Sequence, residues 1–324
     1  MSNYKGLKGL TDIHEYTLNN DIQDGLVEYF DWALLDIGNY FNVTRGEESP
    51  DDRDYSRLRT QGSGSYPLGQ VWEGFRKNWI WQSGVSYSPA PIVGTDNDNP
   101  GVSGVWVDDG FHANDETGTY AHYVDHFNGR IIFDSAIPSG SKVQAEFSYK
   151  WVNVVYANNV PWLRTIQMDT MQPNSQFYEQ EKGDWNIPPE SRLQLPAIAV
   201  EVVASRNFQG YQLGGGQWVY TDVLFHCIAE DEITRNKLVD IVSLQNNKTI
   251  ILHDSNKINT DQKYPIDYKG EVNSGALRYP DLVEQYPLGK LRLTNGNVQG
   301  ITTIGQDLYG GIVRFRTEYV NEKI

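Results

Sequence analysis

The stretch Arg192-Leu-Gln-Leu-Pro-Ala-Ile-Ala-Val-Glu-Val-Val203, followed by Tyr211-Gln-Leu-Gly-Gly-Gly-Gln-Trp-Val-Tyr-Thr-Asp-Val-Leu-Phe-His-Cys-Ile-Ala-Glu230, reads as strand, glycine turn and strand. A helix is predicted next. Asp231-Glu232 supplies carboxylates at its start, and Leu238, Ile241 and Val242 fall at helical spacing, giving one apolar stripe to bury. Thr249-Ile-Ile-Leu252 then returns as a further strand. A strand pair with a helix laid across it is an α+β module, and its residues form no acid, base and nucleophile set. That favours assembly over catalysis.

Working outward, residues 11 to 41 are predicted helical, with Leu26, Phe30, Ala33, Leu34 and Ile37 on one side and Gly38-Asn39 as the stop. Gly25 weakens the middle and suggests two short helices. From Thr44 to Tyr66 the composition is that of a loop or linker, and residues 67 to 156 read as β-structure. In Lys142-Val-Gln-Ala-Glu-Phe-Ser-Tyr-Lys-Trp151, Val143, Ala145, Phe147, Tyr149 and Trp151 share one face, with a wet face of Lys142, Gln144, Glu146, Ser148 and Lys150 opposite. Asn128-Gly129 predicts a two-residue hairpin, and Pro138-Ser-Gly140 turns the chain into the Val143 strand, making three antiparallel strands in a row. Residues 254 to 288 read as a long ordered loop. In the tail, Val313, Phe315, Thr317 and Tyr319 oppose Arg314, Arg316 and Glu318, as on an edge strand or a docking surface for an acidic partner.

With 324 residues, 39% hydrophobic, and 9 Trp, 20 Tyr and 11 Phe, the chain can fill two moderate cores. A formal charge of −15 argues against sequence-independent binding of nucleic acid or anionic lipid. The single cysteine, Cys227, rules out an intrachain disulfide framework and reads as a small buried hydrophobe. Met1 to Leu10 lacks the apolar core of a secretory signal, and no window approaches a membrane span, so synthesis and folding in a cytoplasm are expected.

Four motifs invite chemistry. His122, Asp125 and His126 suggest a metal, but on a strand Asp125 faces away from the two imidazoles, leaving two ligands. His226 and His253 read as structural. Thr95-Asp-Asn-Asp-Asn-Pro-Gly101 superficially resembles a calcium loop but lacks the closing bidentate glutamate, and a turn cluster is the better reading. Gly214-Gly-Gly216 precedes a strand, so it is a hairpin turn or a point of close backbone approach, not a phosphate cradle. Trp72, Phe75 and Trp79 fit one face of a short helix, as buried aromatics in preference to a sugar platform. No metal or cofactor is therefore predicted.

The runs Tyr29 to Val43, Gly69 to Trp79, Asn128 to Ser135, Leu195 to Val203 and Gln212 to Trp218 resemble a virion structural protein of contractile-tailed phages, notably those infecting cyanobacteria. The order of helix, Leu-Pro-Ala-Ile strand, hairpin, strand ending in Ala-Glu, helix and return strand is similar to the tail-terminator family. Members of that family form a ring capping the tail tube beneath the head. The resemblance implies a terminator-like α/β sandwich module with an inserted antiparallel β-domain: residues 1–41 and 161–324 for the module, 42–160 for the insertion. The insertion departs from the shorter family pattern and leaves neck, collar and baseplate positions open.

The expected function is a non-enzymatic tail terminator or neck protein forming a homohexameric ring that ends tube and sheath stacking and joins tail to head. Its partners are then its own copies and the tube, sheath and connector proteins, while DNA passes without specific binding and no membrane is involved. Tyr211, Gly214, Gly215, Gly216 and Trp218 are the expected subunit-contact residues, from the glycine run beside aromatics. The alternatives are a baseplate, collar or fibre-attachment adaptor with a glycan-binding β-domain, and a wall-degrading enzyme, for which no catalytic constellation appears.

Overall fold

The computed structural model describes residues 12–46, 54–63, 66–82, 85, 92–93, 101–160, 194–212, 215–259, 262, 264–305 and 308–321. The chain is mixed α+β, dominated by antiparallel sheets with few helices. It divides into two compact units, one formed by 1–31, 152–258 and 279–324, the other by 32–151 and 259–278.

The first unit is built on a six-stranded sheet. Its strands are β10 (Asn153–Tyr156), β11 (Ala197–Gln212), β12 (Gly215–Ala229), β13 (Thr249–His253), β14 (Pro287–Gly305) and β15 (Leu308–Asn321). Their order is β10-β11-β12-β15-β14-β13, antiparallel except for the β10/β11 pair. The tail strand β15 is therefore central. The expectation of an edge strand is corrected: Arg314, Arg316 and Glu318 form the outer face of a strand paired on both sides, because β12 and β14 both reach it.

Helix α1 (Leu18–Asp36) and helix α2 (Glu232–Ser243) supply apolar stripes for this unit. Phe30 of α1 lies 4.9 Å from Phe225, which meets Phe315 edge-on. α1 is one continuous helix. Gly25 does not break it, since a Cβ there would lie 2.6 Å from Leu252 Cδ2; its bare backbone lets the strand approach. The helix ends as expected at Gly38 (φ 93°), with Asn39 N–H donating to Leu34 O and Gly38 N–H to Leu35 O. The buried stripe is Ile22, Leu26, Val27, Phe30, Leu34 and Leu35, whereas Ile37 lies past the last turn and is 61% exposed.

α2 is capped by Asp231, whose carboxylate accepts from Thr234 N–H at 2.8 Å. Its buried face is Arg235, Leu238, Val239 and Val242, rotated from the expected one so that Ile241 is only half-buried. The rotation follows from Gly311 on β15, where a Cβ would stand 2.6 Å from Val239 Cγ2. Arg235 is tolerated inside because its guanidinium donates to Gly310 O and Glu232 Oε1, both at 3.1 Å. The segment 254–288 is not wholly loop: helix α3 (Tyr279–Gln285) packs Tyr279 against Tyr29, and β14 has begun at Pro287.

The second unit holds three small sheets among the described residues. β2 (Arg59–Ser63), β3 (Tyr66–Glu73), β7 (Arg130–Phe133) and β6 (His122–Asp125) form one. β5 (Gly110–Ala113), β4 (Gly104–Val107) and β8 (Val143–Ala145) form another, and β1 (Tyr40–Val43) pairs with β9 (Phe147–Lys150). The shared core contains Val105, Ile131, Phe133, Val143, Phe147 and Trp79.

Four expectations are corrected here. Part of the supposed linker is the β2/β3 hairpin, with Thr60 opposite Trp72. The expected three strands in a row do not form, because β8 pairs with β4 and not with β7. The supposed wet face of residues 142–151 is partly buried: Gln144 bonds Asp54 and Ser56, and Ser148 bonds Asn42 at 2.7 Å, so polar side chains are satisfied inside. Trp72, Phe75 and Trp79 do not share a helix. Trp72 lies in β3, Trp79 stacks on Phe147 at 4.2 Å, and Phe75 is half out.

Candidate functional site

In unit 1 the side chains that pack on α1 and α2 alternate with a second set, which forms a sheet face without a helical cover among the described residues. On β12 that set is Trp218, Tyr220, Asp222, Leu224 and His226, and on β15 it includes Arg314, Arg316 and Glu318. A groove of about 380 Å³ runs across it, lined by Arg206, Asn207, Tyr220, Asp222, Arg314 and Arg316 among others. Arg314 pairs with Asp222, and Arg316 lies 4.5 Å over the Tyr220 ring. Tyr220 in turn stacks near-parallel to Trp218, with ring centres 6.2 Å apart. Toward the other end, buried His226 meets Glu201 at 2.8 Å. This face offers guanidinium, carboxylate and amide groups beside aromatic rings. Such groups can form ion pairs and hydrogen bonds.

The sheet also ends in open edges. β10 covers β11 only from Ala197 to Val200, and β13 covers β14 only up to Arg292. Beyond these, among the described residues, Arg206–Gln212 of β11 pairs only with β12, and Asn297–Gly305 of β14 only with β15. Neither stretch contains proline, the first has one charge, Arg206, and the second none. Register shifts are present in both strands, which twist them, but of the charged side chains that usually guard an edge these stretches carry Arg206 alone.

Of the expected contact residues, Gly214 lies outside the described residues. Gly215 begins β12 opposite Gln212, and Gly216 takes φ 83°. Tyr211 is a backbone member of the open β11 edge, and Trp218 is half-buried opposite Gln209 and Val320. The structure thus puts Tyr211 and Trp218 on neighbouring strands at one end of the sheet. Arg206, Tyr220 and the β14 edge went unmarked, because neither open pairing nor a shared face is written in local sequence.

The histidines have other duties. His122 contacts Tyr120 O at 2.8 Å and Asn114 Oδ1 at 3.1 Å. His126 Nδ1 meets Gly270 O at 3.0 Å, while its Nε2 accepts from Val102 N–H at 3.2 Å. Burial lowers both imidazole pKa values. Asp125 accepts from Asn128 and from Arg130 Nε at 2.8 Å. Among the described residues no three His, Cys, Asp or Glu side chains gather around a common point. The calcium-like loop falls outside the described residues except for Gly101. Cys227 is buried, and desolvation pushes its thiol up to about 12. No helix among the described residues is long and apolar enough to cross a membrane.

No protein-family model matches this chain, and no curated protein matches it either.

Proposed function

We propose that this chain is a non-enzymatic virion structural subunit, most specifically a tail-terminator or neck protein whose copies form a ring at the head-tail joint. The observation that supports it is the pair of sparsely charged strand edges flanking the long sheet, each paired on one side among the described residues. β11, β12, β15 and β14 alternate in direction, so β11 of one copy placed beside β14 of the next continues the antiparallel order. The two open stretches lie at opposite ends of the sheet: Gln217 on β12 faces Asn321, beside the β11 tip, whereas Ala229 faces Tyr309, beside the β14 tip. Closing a sheet into a ring requires tilted strands and an axial stagger between neighbours, which is the offset these edges supply. Unlike surfaces then meet head to tail, the arrangement that generates cyclic assemblies.

In this reading the ring is terminator-like, Tyr211, Gly215, Gly216 and Trp218 lie at the seam, and tube, sheath and connector proteins stack on its rims. A net charge of −15 keeps passing DNA from adhering. The test is light scattering and negative-stain microscopy of the purified chain, beside Phe208→Lys and Val298→Lys, which charge exposed positions of the two edges. Closed rings are expected for the parent and monomers of unchanged circular dichroism for both variants. A parent that stays monomeric at high concentration, or rings indifferent to both lysines, would refute the assembly.

A further inference from the structure

Unit 2 carries a cleft of about 400 Å³. Its floor is the β6/β7 ladder, where Tyr123 faces Ile132 and Asp125 faces Arg130. Its wall is the turn 266–270, closed by Gly270 N–H to Asp267 O and by an Ile266–Val272 bridge. The turn is fixed to the floor by Gly270 O, which accepts from His126 N–H and meets His126 Nδ1, both at 3.0 Å. Gly270 has φ 92°, and a Cβ there would sit 2.2 Å from Asp125 Oδ1, so the wall approaches as closely as glycine permits. The cleft is therefore preformed.

Its lining is of two kinds. Phe127 is 63% exposed and Tyr268 93% exposed, two large rings held at the mouth against the usual preference for burial. Deeper, Tyr123 and Tyr66 hydrogen-bond through their hydroxyls, and Lys269 Nζ stands 5.2 Å over the Tyr123 ring. Among these rings sit donors and acceptors of both signs. Asp125 is occupied by Arg130 and Asn128, and Asp267 receives the Lys269 and Glu271 N–H groups through Oδ1. Asp267, Asn128 and Lys269 line the cleft, bringing a carboxylate, an amide and an ammonium beside the rings.

Charge decides between ligand classes. Asp125 and Asp267 balance Arg130 and Lys269, so neither an anion nor a cation is selected. An uncharged ligand with apolar C–H faces and hydroxyls that both donate and accept fits rings interleaved with such groups. A purely apolar ligand would strand the polar ones. We propose that this cleft binds a neutral saccharide of mono- or disaccharide size, with a sugar face laid on Tyr268 or Phe127 and hydroxyls bonded to Asp267, Asn128 and Lys269.

The test is a glycan array probed with the full chain, followed by titration calorimetry with the neutral glycans retained. Tyr268→Ala and Phe127→Ala remove exposed rings and leave the core intact. Each is expected to weaken binding by about tenfold, the worth of one stacked ring, with thermal stability unchanged. An array that retains no neutral glycan, retention of charged glycans alone, or affinity untouched by both substitutions overturns the proposal. Ring formation is read separately, so either reading can fail without the other.

Discussion

Asp21 carries the sharpest test of the electrostatics of unit 1. It lies in the first turn of α1, is 4% exposed, and accepts the Ser255 N–H at 3.3 Å. Burial dominates and raises its pKa from 3.8 to about 6; bonds from Ser255 lower it, and the neighbouring Asp254 and Asp24 raise it. A carboxyl whose folded pKa exceeds its unfolded one stabilises the fold fully below about pH 4, and that contribution is lost as pH rises through about 6. The shift of roughly two units corresponds to a penalty of at most about 3 kcal/mol at pH 8, of which about half is already present at pH 5. Asp21→Asn keeps an acceptor for Ser255 and cannot ionise. It should therefore gain roughly 1 to 1.5 kcal/mol more over the parent at pH 8 than at pH 5. Urea unfolding followed by circular dichroism at the two pH values measures this difference. A gain equal at both pH values, or larger at pH 5, would refute the assignment of a buried, destabilised carboxylate.

Two further outcomes are expected from packing. Gly270→Ala places a Cβ against the Asp125 backbone at a positive φ, and should cost about 2–3 kcal/mol of unit 2 stability; a Tm unchanged within a degree would show that the turn is not clamped. Trp79→Ala removes a side chain that is 1% exposed and stacked on Phe147, and should cost about 3–5 kcal/mol, read as a lowered urea midpoint; a loss below about 1 kcal/mol would deny the ring its place in the core.

The elements whose information is local were legible in the sequence. Asp231 with Thr234 marks a helix start because a side-chain oxygen three residues away can satisfy a terminal N–H. The alternation along β15 shows which side chains turn inward, and the structure buries Val313, Phe315, Thr317 and Tyr319. Gly38 ended α1 for the same kind of reason, a positive φ that suits glycine. The expected hairpin at Asn128-Gly129 forms, β6 pairing antiparallel with β7, but four residues join the strands where two were predicted, because distant groups take the hydrogen bonds of the inner pair. The strands stop at Asp125 and resume at Arg130, since Phe127 O and His126 O accept from Asn78 and Trp79. Only Gly129 in that turn has a positive φ.

By itself, then, the sequence determined the α+β character, the caps of α1 and α2, and the inward face of β15, because period, propensity and capping act over a few residues. Which strand lies beside which, that β15 is central, that Gln144 and Ser148 are buried with partners, and that Gly270 closes a cleft against His126, 144 residues away, were decided only by the tertiary structure. A polar side chain reads as solvent-facing until a partner from far along the chain reaches it, and a strand's unpaired edge exists only once its neighbours in the sheet are fixed.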